Sequence, residues 1–324
     1  MRSFKQGFGI IAAVGALLVA GCGSADSGKA STGAEHAETP VTPPLLSAPA
    51  RDLDQPFSFN AGGAVIRPDG SVELPLDQYD AWEAQRLTAR ARSVLADQCL
   101  RAKGLELPDV LRNRTDFASP PATTLYGVIS FDIARIYGYR QPPNSVEQEN
   151  PAQGSSPNIS PEVAAEYFED RARGKSGCIG EAREKLDETR PREAYLFVQR
   201  LRGRSQEEAR QDQRVKEATA RWSSCMKASG LAYNNPLEPA HDKSLLGKGL
   251  PLPSGAALPP PSPEEVTAAV TDIRCKRQTQ YLETVTLVTA AYQGELIRSN
   301  QRALDDGQIQ WEAQSQRAQA VLAH

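Results

Sequence analysis

Two nine-residue stretches of this chain end in the same way: Cys99-Leu100-Arg101-Ala102-Lys103-Gly104-Leu105-Glu106-Leu107 and Cys225-Met226-Lys227-Ala228-Ser229-Gly230-Leu231-Ala232-Tyr233. Cys, Ala, Gly and Leu recur at fixed spacing, a pattern that reads as a helix end with glycine at C′ in the left-handed conformation. The residue after each glycine then folds back on the last turn, which pairs Leu105 with Leu100 and Leu231 with Met226. Each cysteine falls in that last turn, where a disulfide would fasten a helix terminus to a neighbouring helix. Convergent capping chemistry could also produce two such ends.

Apart from Cys22, the cysteines are Cys99, Cys178, Cys225 and Cys275. An even number in an exported chain predicts two disulfides. Zinc ligation favours close pairs with histidines nearby, and here the nearest two cysteines, Cys178 and Cys225, are far apart in sequence, so no metal site is expected. Cys178 and Cys275 fall inside later helical segments. This suggests a repeated plan of helix, Cys-ended turn, Pro-rich loop and second helix carrying the partner. The natural pairing is Cys99 with Cys178 and Cys225 with Cys275, although four cysteines permit three pairings. Each bridge would be worth roughly 3 to 5 kcal/mol.

Export is read from the N-terminus. Arg2 and Lys5 precede an apolar run over residues 7–20, shorter than a comfortable bilayer span, which reads as a signal peptide. The run closes on Leu18-Val19-Ala20-Gly21-Cys22, which resembles the bacterial lipoprotein box and implies that residues 1–21 are removed and Cys22 is lipidated. Palmitate-like acyl chains on Cys22 would hold a soluble body at the extracytoplasmic face of the cell membrane. Residues 22–75 are rich in Gly, Ser, Thr and Pro and predict a flexible tether, within which Ala64-Val65-Ile66 and Val72-Glu73-Leu74 could form a small hairpin around Pro68-Asp69-Gly70. The chain of 324 residues carries a net charge of −3, a balance that argues against sequence-independent nucleic-acid binding.

Several of these features occur together: the lipobox, the Cys225-Met226-Lys227-Ala228 turn with Trp222 before it, Tyr126-Gly127-Val128, Tyr137-Gly138-Tyr139, and Ala291-Tyr292-Gln293. Over most of the mature chain they resemble a family of uncharacterised extracytoplasmic lipoproteins of high-GC Gram-positive bacteria. The resemblance implies an address and an anchor, and it carries no activity across. The first helix end departs from the pattern, with Leu100 where Met is usual.

The body reads as helical. Trp82, Leu87, Val94, Leu95, Cys99 and Leu100 fall near helical spacing over residues 77–103. A short helix is expected around 131–136 between Tyr-Gly pairs, whose aromatics read as packing plugs. Ser160-Pro161 opens a helix expected to run to about residue 189. Pro191 restarts a helix, Gly203 interrupts it, and Ser205-Gln206-Glu207-Glu208 reads as a capping box for another that ends at Ser229. The charged run 207–216 reads as a solvated face. Ser262-Pro263-Glu264-Glu265 supplies a capping box for the longest periodic segment, carrying Val266, Val270, Ile273, Leu282, Val285, Val288, Tyr292, Leu296 and Leu304. A helix of about 45 residues is expected there, with Gly294 and Gly307 as weak points. Poor charge pairing beside its stripe favours packing within the molecule over a coiled coil.

Sites for chemistry are sparse. His36, His241 and His324 sit in a linker, a Pro-rich loop and the last position, and there is no H-E-x-x-H, G-x-S-x-G or dinucleotide fingerprint. Gly174-Lys175-Ser176 lacks the upstream glycine of a phosphate loop. Ser224-Cys225-Met226-Lys227 has S-x-x-K spacing, but the Lys175-Ser176-Gly177 candidate precedes it in the chain, no Ser-Asp-Asn element lies between, and Cys225 is claimed by a bridge. The expectation is therefore a mainly α, disulfide-stapled helical bundle with Pro-rich linkers and a long C-terminal amphipathic helix, in units 76–189 and 190–324. No catalytic residue, cofactor or metal is assigned. The expected role is a non-enzymatic binding, scaffold or accessory subunit of an envelope complex, with a protein partner in the envelope. The competing class is a peptidoglycan hydrolase working through paired carboxylates.

Overall fold

The structure is a computed structural model that describes residues 57–112, 126–140, 159–168, 174, 176–245 and 260–323, all within one compact unit. The expected signal peptide, Cys22, His36, Lys175, His324 and residues 22–56 of the expected tether lie outside the described residues.

The fold is mainly α, as the periodicity predicts, with a small antiparallel sheet at its start. Strands β1 (Phe59–Ala61), β2 (Ala64–Ile66) and β3 (Val72–Glu73) pair in chain order, with Phe59 opposite Ile66 and Ile66 opposite Val72. The expected hairpin is therefore β2–β3. Its turn uses the Asp69 carboxylate, which accepts from the Ser71 amide at 2.8 Å, and Gly70 at φ +86°. Strand β1 lies where a tether was expected. Its neighbours Ala64, Ile66, Val72 and Leu74 are buried in the main core with Trp222, Met226, Leu282 and Val288, so residues 59–74 belong to the folded body. Strand β1 reads as linker because three residues are too few to show a period, and the core it faces comes from helices more than a hundred residues away.

A 3₁₀ turn (Pro75–Tyr79) leads into α1 (Trp82–Ala102), followed by α2 (Asp109–Arg112), α3 (Phe131–Tyr137), α4 (Pro161–Tyr167), α5 (Gly177–Leu186), α6 (Thr189–Gln211) and α7 (Gln213–Ala228). A second 3₁₀ turn (Pro239–His241) precedes α8 (Pro263–Gln278) and α9 (Tyr281–Leu322). Helix α1 buries Ala84, Ala89, Ala91 and Ala96, a stripe of small residues that lets α9 and α5 approach closely, and Leu100 at its end. The larger Leu87, Val94 and Leu95 sit at its margins.

Helix α9 organises the bundle. Its 42 residues would span about 63 Å, and it packs against α1, α6 and α7, so its stripe is used within the molecule. Its first ten residues are buried on every side. The threonines there are satisfied locally: Thr284 and Thr289 donate to the carbonyls of Gln280 and Val285, each at 2.7 Å, and Thr286 donates to Leu282. Farther along, α9 packs Ala318 on Ala91 of α1 and Leu186 of α5, so this helix also reaches the first expected unit.

Four helix boundaries differ from the periodic reading. The helix opened by Ser160 ends at Tyr167, and α5 starts afresh at Gly177, whose φ is +62° and whose Cβ, if present, would lie 2.4 Å from the Phe168 carbonyl oxygen. The chain doubles back tightly there, which no periodicity signals. Helix α6 runs through Gly203, which sits on an exposed face; a cost of about 1 kcal/mol for glycine is too small to end a 23-residue helix. Ser205 is not a cap: it is buried and donates to the Arg202 carbonyl at 2.8 Å, while Asp212 makes the break and accepts from the Arg214 amide at 2.9 Å. The long C-terminal segment is divided at Gln280, which takes φ +54°, and α9 then kinks at Asn300, not at Gly294 or Gly307. Asn300 Nδ2 donates to the Leu296 carbonyl at 2.7 Å, and Gly307 faces Ala194 of α6 closely.

Candidate functional site

The two matching helix ends form as their residues require. The amide of Leu105 donates to the Leu100 carbonyl and that of Leu231 to the Met226 carbonyl, each at 2.9 Å, with Gly104 at φ +74° and Gly230 at φ +83°. These are the six-to-one bonds of a Schellman end. One end is stapled to the first turn of a helix and the other to a helix interior. Cys99 is bonded to Cys178 of α5 and Cys225 to Cys275 of α8, with Cα atoms 5.6 Å apart in both. In each staple the residue one turn before the first cysteine, Ala96 or Trp222, is fully buried.

From that point the staples diverge. Trp222 Nε1 donates to Asp272 Oδ1 at 2.8 Å, and Asp272 Oδ2 accepts from the Lys276 ammonium at 2.9 Å, with both charged side chains fully buried. Lys276 also donates to the Val128 carbonyl at 3.0 Å. One turn before Asp272 is Ala269, and one turn before that is Glu265, also fully buried, which accepts from the Tyr139 amide at 3.2 Å and from Arg140 at 3.0 Å. Positions 265, 269, 272 and 276 share one face of α8 at helical spacing. That face carries Glu, Asp and Lys, and it binds the segment 126–140, which lies across it as a strap. Arg277 adds a stacking contact with Phe131 of the strap at 5.8 Å and with Phe57 at 5.3 Å.

Burial governs the protonation of this site. Loss of solvent pushes the Asp272 carboxyl up and the Lys276 ammonium down, and their mutual contact resists both. The Tyr139 hydroxyl, facing Asp272 in the same interior, is pushed well above the ordinary phenol range, chiefly by burial. Glu283, at the start of α9, is pushed up to about 7 by burial, against the pull of Arg277. Its folded value exceeds the ordinary 4.5, so the folded state holds the proton more tightly. The stability this contributes is fully present below pH 4.5 and is lost as pH rises through about 7, amounting to roughly 3 kcal/mol. Glu283→Gln is expected to remove that slope, so that urea titrations at pH 5 and pH 8 differ less for the variant than for the parent by about that amount; identical pH dependence would show that Glu283 keeps an ordinary acidity.

The Tyr-Gly pairs have a function in this contact. A Cβ on Gly127 would lie 3.1 Å from Lys276 Nζ, and one on Gly138 would lie 2.6 Å from Glu265 Oε1, with φ of +68° and +61°. The glycines let the strap backbone reach the buried charges, while Tyr126 fills the core beside them. Gly138→Ala is expected to cost at least about 2 kcal/mol, from left-handed strain plus displacement of the Glu265 carboxylate. Gly230→Ala, with a similar φ and open space around it, is expected to cost only the strain, about 1 kcal/mol. Chemical denaturation of the two variants separates these terms.

Of the residues singled out in the sequence, the four body cysteines are brought together in pairs and Cys22 lies outside the described residues. Ser224 and Lys227 are not brought together: Ser224 donates to the Ala220 carbonyl at 3.0 Å and Lys227 to Asn234 at 3.1 Å. His241 is exposed in its 3₁₀ turn. Among the described residues, no cluster of three or more His, Cys, Asp or Glu is placed to hold a metal ion. Glu265, Asp272 and Lys276 were not singled out, because charged residues on a helix read as its wet face. The available signals were the Asp-Lys pair at i,i+4 and the weak polarity contrast of α8. In the sequence Glu265 reads as part of a capping box. Ser262 does accept from its amide at 3.1 Å, but the Glu265 carboxylate is bound to the strap. The chain matches no protein-family model, no curated protein and no solved structure.

Proposed function

We propose that this chain is a lipid-anchored protein of the extracytoplasmic face of the cell membrane, held by Cys22, and that it serves there as a non-enzymatic binding or scaffold subunit of an envelope complex. The observation that carries the non-enzymatic part is where the buried charge is directed. Lys276 is bound to a backbone carbonyl and to Asp272, and Glu265 to a backbone amide and Arg140, so these groups hold the chain's own strap. The lipoprotein box and the family resemblance support the anchor, and two disulfides suit an oxidising compartment. Among the described residues no helix is long and apolar enough to cross a membrane, so in this reading attachment rests on Cys22. The outward face of α9, with Arg298, Arg302, Asp305 and Ile309 exposed, offers a long ridge for a protein partner.

The test is cross-linking of the tagged protein in its own cell envelope, followed by capture and mass spectrometry, with a Cys22→Ala form as control. A stoichiometric envelope complex captured only with the anchored form is the expected result. Recovery of peptidoglycan fragments alone would overturn the scaffold reading in favour of wall binding or hydrolysis. Treatment with globomycin, which blocks lipoprotein signal cleavage, is expected to leave a longer precursor, and unaffected processing would sink the anchor.

A further inference from the structure

The two staples share a plan but differ in what surrounds the more accessible sulfur. In each bridge the helix-end cysteine, Cys99 or Cys225, is half-buried and its partner is buried. Cys99 Sγ lies 3.6 Å from a carboxylate oxygen of Glu181, one turn beyond Cys178. Cys225 Sγ lies 3.7 Å from the neutral amide oxygen of Gln278, one turn beyond Cys275. Lys103, a cation that feels Glu181, is paired with Glu166 at 2.7 Å. Disulfides are opened by thiolates, which are anions, so Glu181 repels the attacker at the first bridge, whereas the neutral Gln278 amide stands in that place at the second.

The second bridge also sits directly on the strap site. Cys225 is one turn from Trp222, and Cys275 is one turn from Asp272 and adjacent to Lys276, so the bridge and the Trp222–Asp272 hydrogen bond are consecutive ties between α7 and α8. The first bridge has fully buried Ala96 in the place of Trp222, packed in an apolar cluster with Leu100, Leu107 and Tyr167. We propose that the Cys225–Cys275 disulfide is a reducible lock that keeps the strap 126–140 seated on α8, and that Cys99–Cys178 is a permanent staple. The reductant is a dithiol. One of its thiolates attacks Cys225 Sγ and expels Cys275 as a thiolate, which takes a proton from solvent. Its second thiolate then attacks the mixed disulfide and releases Cys225. Cys225 leaves as a thiolate and is protonated from solvent in the same way, and the reductant leaves as a disulfide, having given two electrons, while its two thiol protons pass to solvent. With the lock open, α7 and α8 separate at this end, water reaches Asp272 and Lys276, and the Val128 carbonyl and Tyr139 amide lose their buried partners.

The experiment uses the full chain with both bridges formed, treated with increasing dithiothreitol, alkylated at intervals and mapped by mass spectrometry. Hydrogen exchange is followed on the same samples. Cys225 and Cys275 are expected to be alkylated about fivefold faster than Cys99 and Cys178, the factor a like charge near 4 Å imposes in water. Glu181→Gln should speed opening of the first bridge and Gln278→Glu should slow the second by similar factors. Exchange of amides in 126–140 is expected to rise at least about tenfold once the second bridge is open, while 82–102 and 177–186 keep their protection. A Cys225→Ser/Cys275→Ser double variant should show the same exchange pattern without reductant. Equal reduction rates, an unchanged strap, or loss of protection throughout the chain would each overturn the lock.

Discussion

Asp272→Asn is expected to lose about 3 to 5 kcal/mol of stability in urea or thermal unfolding, although it changes one atom and keeps an acceptor for Trp222. The reason is the group left behind. Lys276 is fully buried, and its ammonium is held by Asp272 at 2.9 Å and by a single carbonyl at 3.0 Å. Without the carboxylate, a buried cation keeps one dipole as its partner, and the interior cannot supply the lost solvation. Lys276→Met has a different signature, because the remaining Asp272 can take up a proton. Its folded acidity then lies further above the ordinary carboxyl value, so the variant is most stable at low pH and loses stability as pH rises through that raised value. The double variant Asp272→Asn/Lys276→Met removes both charges and is expected to recover most of the loss, since a buried ion pair contributes little net stability beyond its own desolvation. A single-variant loss below about 1 kcal/mol would mean that water reaches the pair.

Replacing Cys99 and Cys178 together by alanine is expected to cost about 4 kcal/mol, the loop-closure entropy released to the unfolded chain when a bridge spanning 79 residues is removed. The local core reinforces the figure. Leu100, Cys178, Ala182, Leu107 and Tyr167 pack together around the bridge, so the Schellman end of α1 and the start of α5 should loosen with it. The measurement is a denaturant midpoint under non-reducing conditions, with the second bridge confirmed intact by peptide mapping. A loss under about 1 kcal/mol would show that the two helices are held by packing alone.

Much of the fold is legible in local sequence, and the reasons are local. Gly104 and Gly230 end helices because they alone tolerate the left-handed conformation, and the residue after each closes the turn through bonds spanning a handful of residues. Ser130, Ser160 and Ser262 cap helices by accepting from amides three positions on, at 3.5, 3.3 and 3.1 Å. The cysteine pairing that the repeated plan favours, Cys99 with Cys178 and Cys225 with Cys275, is the one that forms. Gly203 and Ser205 misled for the complementary reason: each carries a real local preference, but about 1 kcal/mol is small against the packing of a helix whose Val198 and Leu201 lie in a core with Leu296 and Leu304.

The candidate site was not legible because its energetics are non-local. Glu265, Asp272 and Lys276 look in sequence like the solvated side of a helix. What makes them interior is a strap more than a hundred residues upstream, brought to α8 by Tyr126 in the core and by two glycines that leave room for the charges. Strand β1 illustrates the same point, since its Phe59 packs against a core only when α7 and α9 stand behind the sheet. Helix ends, caps and turns were thus decided within this chain's own short-range chemistry, where each preference is satisfied by neighbours a few residues away, while the choice among three cysteine pairings, across 79 and 50 residues, was decided by the fold. The breaks at Gly177 and Asp212, the all-round burial of the start of α9 and the charged face under the strap were decided by the assembled bundle, because desolvation and close approach exist only once distant segments meet.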